Sequence, residues 1–137
     1  MKEPMILTKE RLNELSQKAK GCEMLRTQLD LRNSTADQSQ RMLNAMEPGT
    51  QVPIHRHPTT NETVILLRGS VKELFYNDNG ELTDEVILKA GSEPNAISIL
   101  AGIWHGLECL EEGTILFEAK DGPFAPRKEE DIMHLPK

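Results

Sequence analysis

From Arg41 onward the chain is a succession of short apolar or alternating runs, cut at near-regular intervals by glycine, proline, asparagine and aspartate. This pattern limits the fold more than any other feature of the sequence. "RMLNAM" runs into "EPGT", "TVILLRGSVKELFY" into "NDNGE", "DEVILKAG" into "SEPN", "AISILAGIWHGLECL" into "EEG", and "TILFEAK" into "DGPFAP". Five such runs predict an antiparallel sandwich or barrel, because β-branched and apolar residues fill strands while Gly, Pro, Asn and Asp supply the turns. Strands do not alternate with helical segments, which disfavours a doubly wound sheet.

The N-terminal part reads differently. In "TKERLNELSQKAK", Leu12, Leu15 and Ala19 recur at spacings of three and four, one apolar stripe of a helix, with Thr8 as its N-cap and Gly21 as its end. The stripe is narrow and the other faces are charged, so the helix is expected to lie on the surface of the domain. The polar stretch "RTQLDLRNSTADQSQ" is expected to be an irregular connection. At 137 residues the chain suffices for one core. The expected organisation is a helix and connecting arm over residues 1–40, a barrel over 41–126, and a polar, solvated tail over 127–137 that includes an exposed His134.

A net charge of -6 argues against a nucleic-acid groove or an anionic membrane surface as partner, and aromatics at 4% give no platform for stacking bases. The expected partner is a small molecule or another protein. No apolar run approaches the roughly 20 residues needed to cross a bilayer, and the N-terminus lacks the pattern of a secretory signal, so the expected compartment is the cytoplasm. Cys22 and Cys109 lie far apart and outside any CxxC cluster, and both are expected to be reduced packing residues.

The chemistry is concentrated in "HRHPTTNET" and "AGIWHGLECL". Side chains at i and i+2 of a strand share a face, so His55 and His57 can present both imidazoles to one point with Arg56 directed away. Glu62 opens the next apolar run, and His105 follows the turn at Gly102 in the same way. Three imidazoles and a carboxylate suit a divalent transition ion, and the set does not select among iron, manganese, nickel, copper and zinc; calcium and magnesium prefer oxygen shells.

Glu118 and Lys120 share a face of "TILFEAK" with Leu116. Inside a barrel they would be a buried acid/base or substrate-orienting pair; outside it, an ordinary charge array. Period two alone leaves the choice open. Asn44, polar within "RMLNAM", is a candidate for holding a site residue in place. Trp104, on the strand face opposite His105, is expected to pack, and Arg68, beside Gly69, to be a rim or surface charge.

These residues carry a resemblance. The spacing G-x5-H-x-H-x4-E-x6-G is met at Gly49, His55, His57, Glu62 and Gly69, and is similar to the first signature of the cupin superfamily. The second, P-x-G-x2-H-x3-N, is met at Gly102 and His105, with Leu100 in place of the proline and Cys109 in place of the asparagine. From Arg41 to Pro126, through "QRMLNAMEPGT", "LLRGSV" and the "KDGPF" ending, the chain further resembles the small WbuC-type cupin metalloproteins, found in bacterial gene clusters for O-antigen and other surface polysaccharides. The resemblance implies an all-β cupin jelly roll with an N-terminal α-helix, one metal ion on His55, His57, Glu62 and His105, and by analogy a homodimer. It assigns no reaction. Three functions stand open: a metal-dependent isomerase- or epimerase-like enzyme acting on a sugar or nucleotide sugar; a non-catalytic, metal-dependent binding or regulatory module; and an iron-dependent oxygenase. A metal-free variant, with His55 or His57 as general base, is a further alternative.

Overall fold

The computed structural model describes residues 3–135. Among them the chain forms one α-helix and eight strands in two antiparallel sheets. The helix α1 is Lys9–Gly21, capped by the Thr8 side chain, which accepts from the Arg11 N–H at 3.2 Å. The strands are β1 Arg26–Asp30, β2 Ser39–Met46, β3 Glu62–Arg68, β4 Ser70–Tyr76, β5 Leu82–Lys89, β6 Ala96–Ile99, β7 Trp104–Cys109 and β8 Thr114–Asp121. One sheet runs β1-β2-β8-β3-β6 and the other β5-β4-β7. This is the expected jelly-roll arrangement with its N-terminal helix. No helix among the described residues is long and apolar enough to cross a membrane.

Two apolar clusters hold the layers. Met46, Val64, Leu66, Val71, Leu88, Cys109 and Leu116 fill the space between the sheets. On the outer side of the larger sheet, Leu15 and Ala19 of α1 pack on Leu43, Ala45 and Ile115. Strand alternation follows from this. In β2, Leu43 and Ala45 face the helix, so Met42, Asn44 and Met46 face the interior; in β8, Ile115 faces the helix, so Leu116, Glu118 and Lys120 face the interior.

The run "TVILLRGSV" is not one strand. Gly69 adopts φ +73° and turns the chain from one sheet into the other between β3 and β4. A Cβ there would lie 2.2 Å from the Thr114 hydroxyl, so both the turn and the close approach of β8 require glycine.

Two sequence expectations are corrected. "RTQLD" is not irregular connection but β1, paired along its length with β2 from Arg26↔Met46 to Asp30↔Met42, so the sheet begins before residue 41. Arg26, Gln28 and Asp30 give the stretch a weak strand signal, and the ladder with β2 supplies the order that local sequence does not. The C-terminal segment is not wholly solvated either. His134 is exposed, but Asp131, in a 3-10 turn over Glu129–Asp131, is only 4% exposed and pairs with Arg56 at 2.8 Å. The Met133 N–H donates to the Ile54 carbonyl at 2.8 Å and the Arg56 N–H to the Asp131 carbonyl at 3.1 Å, so the tail lies along residues 54–56.

Candidate metal centre

His55, His57, Glu62 and His105 converge: one ligand-type atom from each lies within 4.8 Å of all the others. Glu62 opens β3 and His105 is the second residue of β7. The HxH segment is not a strand, contrary to expectation. His55 makes only isolated bridges, its N–H donating to the His105 carbonyl and its carbonyl accepting from the His105 N–H, both at 2.9 Å. The His57 carbonyl accepts from the Gly102 N–H at 2.8 Å, which ties the segment to the turn before β7. Extended backbone alone therefore serves the i, i+2 geometry, with β7 on one side and the tail on the other.

Backbone carbonyls set the imidazole tautomers. His55 Nδ1 lies 2.7 Å from the Pro53 oxygen and His105 Nδ1 3.0 Å from the Ile103 oxygen. A carbonyl only accepts, so each Nδ1 carries hydrogen and donates, leaving the Nε2 lone pair free when the ring is neutral. His57 Nε2 stands 2.7 Å from Glu62 Oε2 and His105 Nε2 3.7 Å from the same oxygen. All three atoms are buried and lack a well-directed hydrogen-bond partner. Buried polar atoms are rarely left so. Three such atoms aimed at one point, with the His55 and His105 tautomers fixed from behind, match the demands of a transition ion held by nitrogen and carboxylate oxygen.

Burial and mutual charge set the protonation of the cluster. Burial, reinforced by the neighbouring His105, lowers the His55 pKa to about 3, so this ring is a neutral donor at physiological pH. Burial opposes the charge on Glu62, but the His105 and His57 imidazoles outweigh it and hold the carboxyl well below its usual value. Burial also opposes a proton on His105, and Glu62 beside it reverses the balance, raising its pKa.

The cluster opens into a cavity of about 360 Å³ between the sheets, within the size range of small-molecule sites. Glu118 and Lys120 both line it, and so does Asn44, whose Nδ2 donates to Glu118 Oε2 at 3.1 Å. Burial and the nearby Glu62 carboxylate push Glu118 up to about 8. Arg68 lies elsewhere: a register shift after Leu66 turns it outward, where it donates to Asn13 of α1 at 2.7 Å. Trp104 packs as expected, its Nε1 donating to Asp78 at 3.1 Å and its ring 4.5 Å under the Arg56 guanidinium.

Sequence reasoning missed Glu73. It lines the cavity from β4, is 2% exposed, and has a buried, unpartnered Oε2; burial first, then the charge of Glu62, raises it to about 8. The signal was present, since alternation through "SVKELF" puts Glu73 on the same face as Val71. Arg26, Arg32 and Arg127 also line the cavity and were missed, two because they lie in or beside the stretch read as irregular and the third because it was assigned to the tail.

Among solved structures, the chain resembles KdgF from Halomonas sp. at 12% identity and TM-score 0.57, covering 73% of this chain and 82% of that one. It resembles CapF, solved with the inhibitor 3-isopropenyl-tropolone, at 22% identity and TM-score 0.60, covering 72% and 29%. It resembles oxalate decarboxylase from Bacillus subtilis, the subject of a study of its Mn(II) centres, at 15% identity and TM-score 0.54, covering 80% and 28%. The chain thus spans less than a third of the length of the latter two. At these identities the likeness establishes the cupin-type fold. No curated protein matches the chain. A family model matches residues 7–88, from the start of the helical segment through β5, and by that match the chain belongs to the family described as Domain of unknown function (DUF6016).

Proposed function

We infer that this chain is a mononuclear metal-binding cupin that acts on a small sugar-derived substrate in bacterial surface-polysaccharide metabolism, in the manner of the WbuC-type proteins its motifs resemble. The observation that carries the metal reading is the convergence of His55, His57, Glu62 and His105, with three buried donor atoms that lack a well-directed hydrogen bond, at the wall of a cavity. The Mn(II) centres named for the oxalate decarboxylase of the same fold support a divalent ion.

When bound, such an ion supplies Lewis-acid polarisation of a substrate carbonyl or hydroxyl oxygen. The chain supplies the rest. Asn44 donates to Glu118 Oε2, and burial with the Glu62 carboxylate beside it raises the Glu118 pKa to about 8, so near pH 7 Glu118 is a protonated acid in the cavity, hydrogen-bonded to Glu62. Lys120, two residues on and on the same face, orients an oxygen-rich substrate. The apolar residues between the sheets keep water from the inner end. Isomerisation or epimerisation is the reaction class that one polarised oxygen and one mobile proton serve.

Metal analysis of protein purified without added metal, followed by turnover assays on a panel of sugars and nucleotide sugars, tests this reading. Close to one ion per chain and turnover of a panel member are expected. Binding without turnover at every metal tried counts for a binding or regulatory module instead, and absence of metal counts against the centre itself.

A further inference from the structure

Four cations, Arg26, Arg32, Lys120 and Arg127, line the cavity beside the carboxylates Glu62, Glu73 and Glu118, and among the described residues none of the four forms an ion pair with those carboxylates. Arg32, just beyond β1, is bound on one edge only: its Nε and Nη2 donate to the Asp30 carboxylate at 2.8–3.1 Å. Its side chain is 10% exposed, its guanidinium stands 5.9 Å from the Phe124 ring, and its Nη1 is buried with no partner. A guanidinium cannot lose its charge in a protein, so this atom is a permanent, unused donor in the cavity lining. Lys120 lines the same space from β8, at the register position opposite Glu62, and forms no ion pair among the described residues; neither does Arg127, which lines it from the segment after β8. Arg26 is the fourth cation there. Asp30 pairs with one of these charges, while Glu62 and Glu118 act on Arg127, and Glu118 on Lys120, across the cavity without an ion pair. In a chain of net charge -6, four cations gathered on one cavity are not a consequence of composition.

We propose that the ligand of this cavity is a small anion, a sugar-sized acid whose carboxylate or phosphate ester is held by Arg32 Nη1, Lys120 and Arg127 while its hydroxylated end reaches the histidine cluster. The proposal rests on reading the cavity as the ligand site of the metal centre, and it adds the class of ligand. With Nε and Nη2 committed to Asp30, Arg32 offers one nitrogen to one anionic oxygen, and Lys120 and Arg127 answer the remaining oxygens as point charges. The cavity of about 360 Å³ suits a monosaccharide-sized molecule.

Calorimetric titration of the protein as purified, with its metal content measured, by gluconate, glucose 6-phosphate and glucose tests the proposal. At least one acid binds at least tenfold more tightly than glucose, and the preferred acid tells a carboxylate from a phosphate ester. Arg32→Met and Lys120→Met each weaken that acid about tenfold or more and weaken glucose by much less, whereas Arg32→Lys retains part of the affinity. Should Arg32→Met fail to fold, Lys120→Met, which breaks no ion pair, carries the test. Acids that bind no better than glucose, or acid affinity unchanged in both methionine variants, overturn the proposal. Metal-loaded protein that binds neither acid at millimolar concentration overturns it while leaving the metal centre standing; acid binding that survives chelation supports the basic wall even where the metal reading fails.

Discussion

At the scale of single residues, the centre depends on a few atoms with no alternative partner. His57 contributes a buried Nε2 that stands 2.7 Å from Glu62 Oε2 and has no well-directed hydrogen-bond partner among the described residues. Loss of a side chain that merely supports a metal ligand costs about 10–100-fold in affinity, and loss of a ligand costs at least as much. His57→Ala is therefore expected to lower metal affinity by about 100-fold or more and to leave purified protein nearly metal-free by elemental analysis; unchanged stoichiometry would remove His57 from the ligand set. Glu73 makes a different prediction, about pH. Its pKa is about 8 in the fold against roughly 4.3 in an unfolded chain, so the fold favours the neutral acid. That contribution is complete below the unfolded value and is lost as pH rises toward and through 8, at up to about 1.4 kcal/mol per pH unit. Metal-stripped wild-type protein should thus show a thermal midpoint that falls from pH 5 to pH 8. Glu73→Gln should flatten the profile and be the more stable of the two at pH 8.

At the scale of elements, the helix and the Gly69 turn decide which side chains reach the cavity. Because α1 covers the outer side of β2 and β8, both faces of these strands carry apolar residues, and "TILF" shows no clean alternation. The facing of Glu118 and Lys120 was hidden for that reason: their orientation follows from Ile115 packing on Leu15 and Ala19, a contact between distant parts of the chain. Gly69, by contrast, stands out in the sequence as a position of the glycine-histidine-glutamate spacing, though the turn it makes between two sheets was not legible there. Gly69→Ala would put a Cβ at positive φ and against Thr114, and is expected to destabilise the protein by about 2–5 kcal/mol in urea unfolding, the sum of left-handed strain and overpacking. A loss under about 1 kcal/mol would mean that the strand β8 yields easily at this point.

At the scale of the whole molecule, the four converging residues come from three separated segments, an extended loop, the start of β3 in one sheet and the start of β7 in the other. An ion held there links both sheets, and it stabilises the folded chain by its binding free energy, about 2.7 kcal/mol at a hundredfold excess over Kd. Chelation by EDTA should lower the thermal midpoint by roughly 10 °C for a domain of this size, with recovery when the metal is restored. A midpoint insensitive to both treatments would argue that the cluster holds no ion. The C-terminal segment belongs to this scale too, since Asp131, Ile132 and Met133 brace the loop that carries His55 and His57 although some 75 residues separate them.

The sequence by itself determined the all-β architecture, the helix with its Thr8 cap, and the four residues of the candidate centre. Those are properties of local pattern: turn residues at regular spacing, a stripe at helical period, and histidines spaced as signature motifs require. Tertiary structure alone decided that residues 26–30 are a strand, that the tail supports the site, and that Glu73, Glu118 and the cations led by Arg32 share one cavity. Each of these turns on which surface a residue is pressed against. An edge strand takes its order from its neighbour's hydrogen bonds, and a strand covered on both faces no longer signals in its sequence which side is the interior.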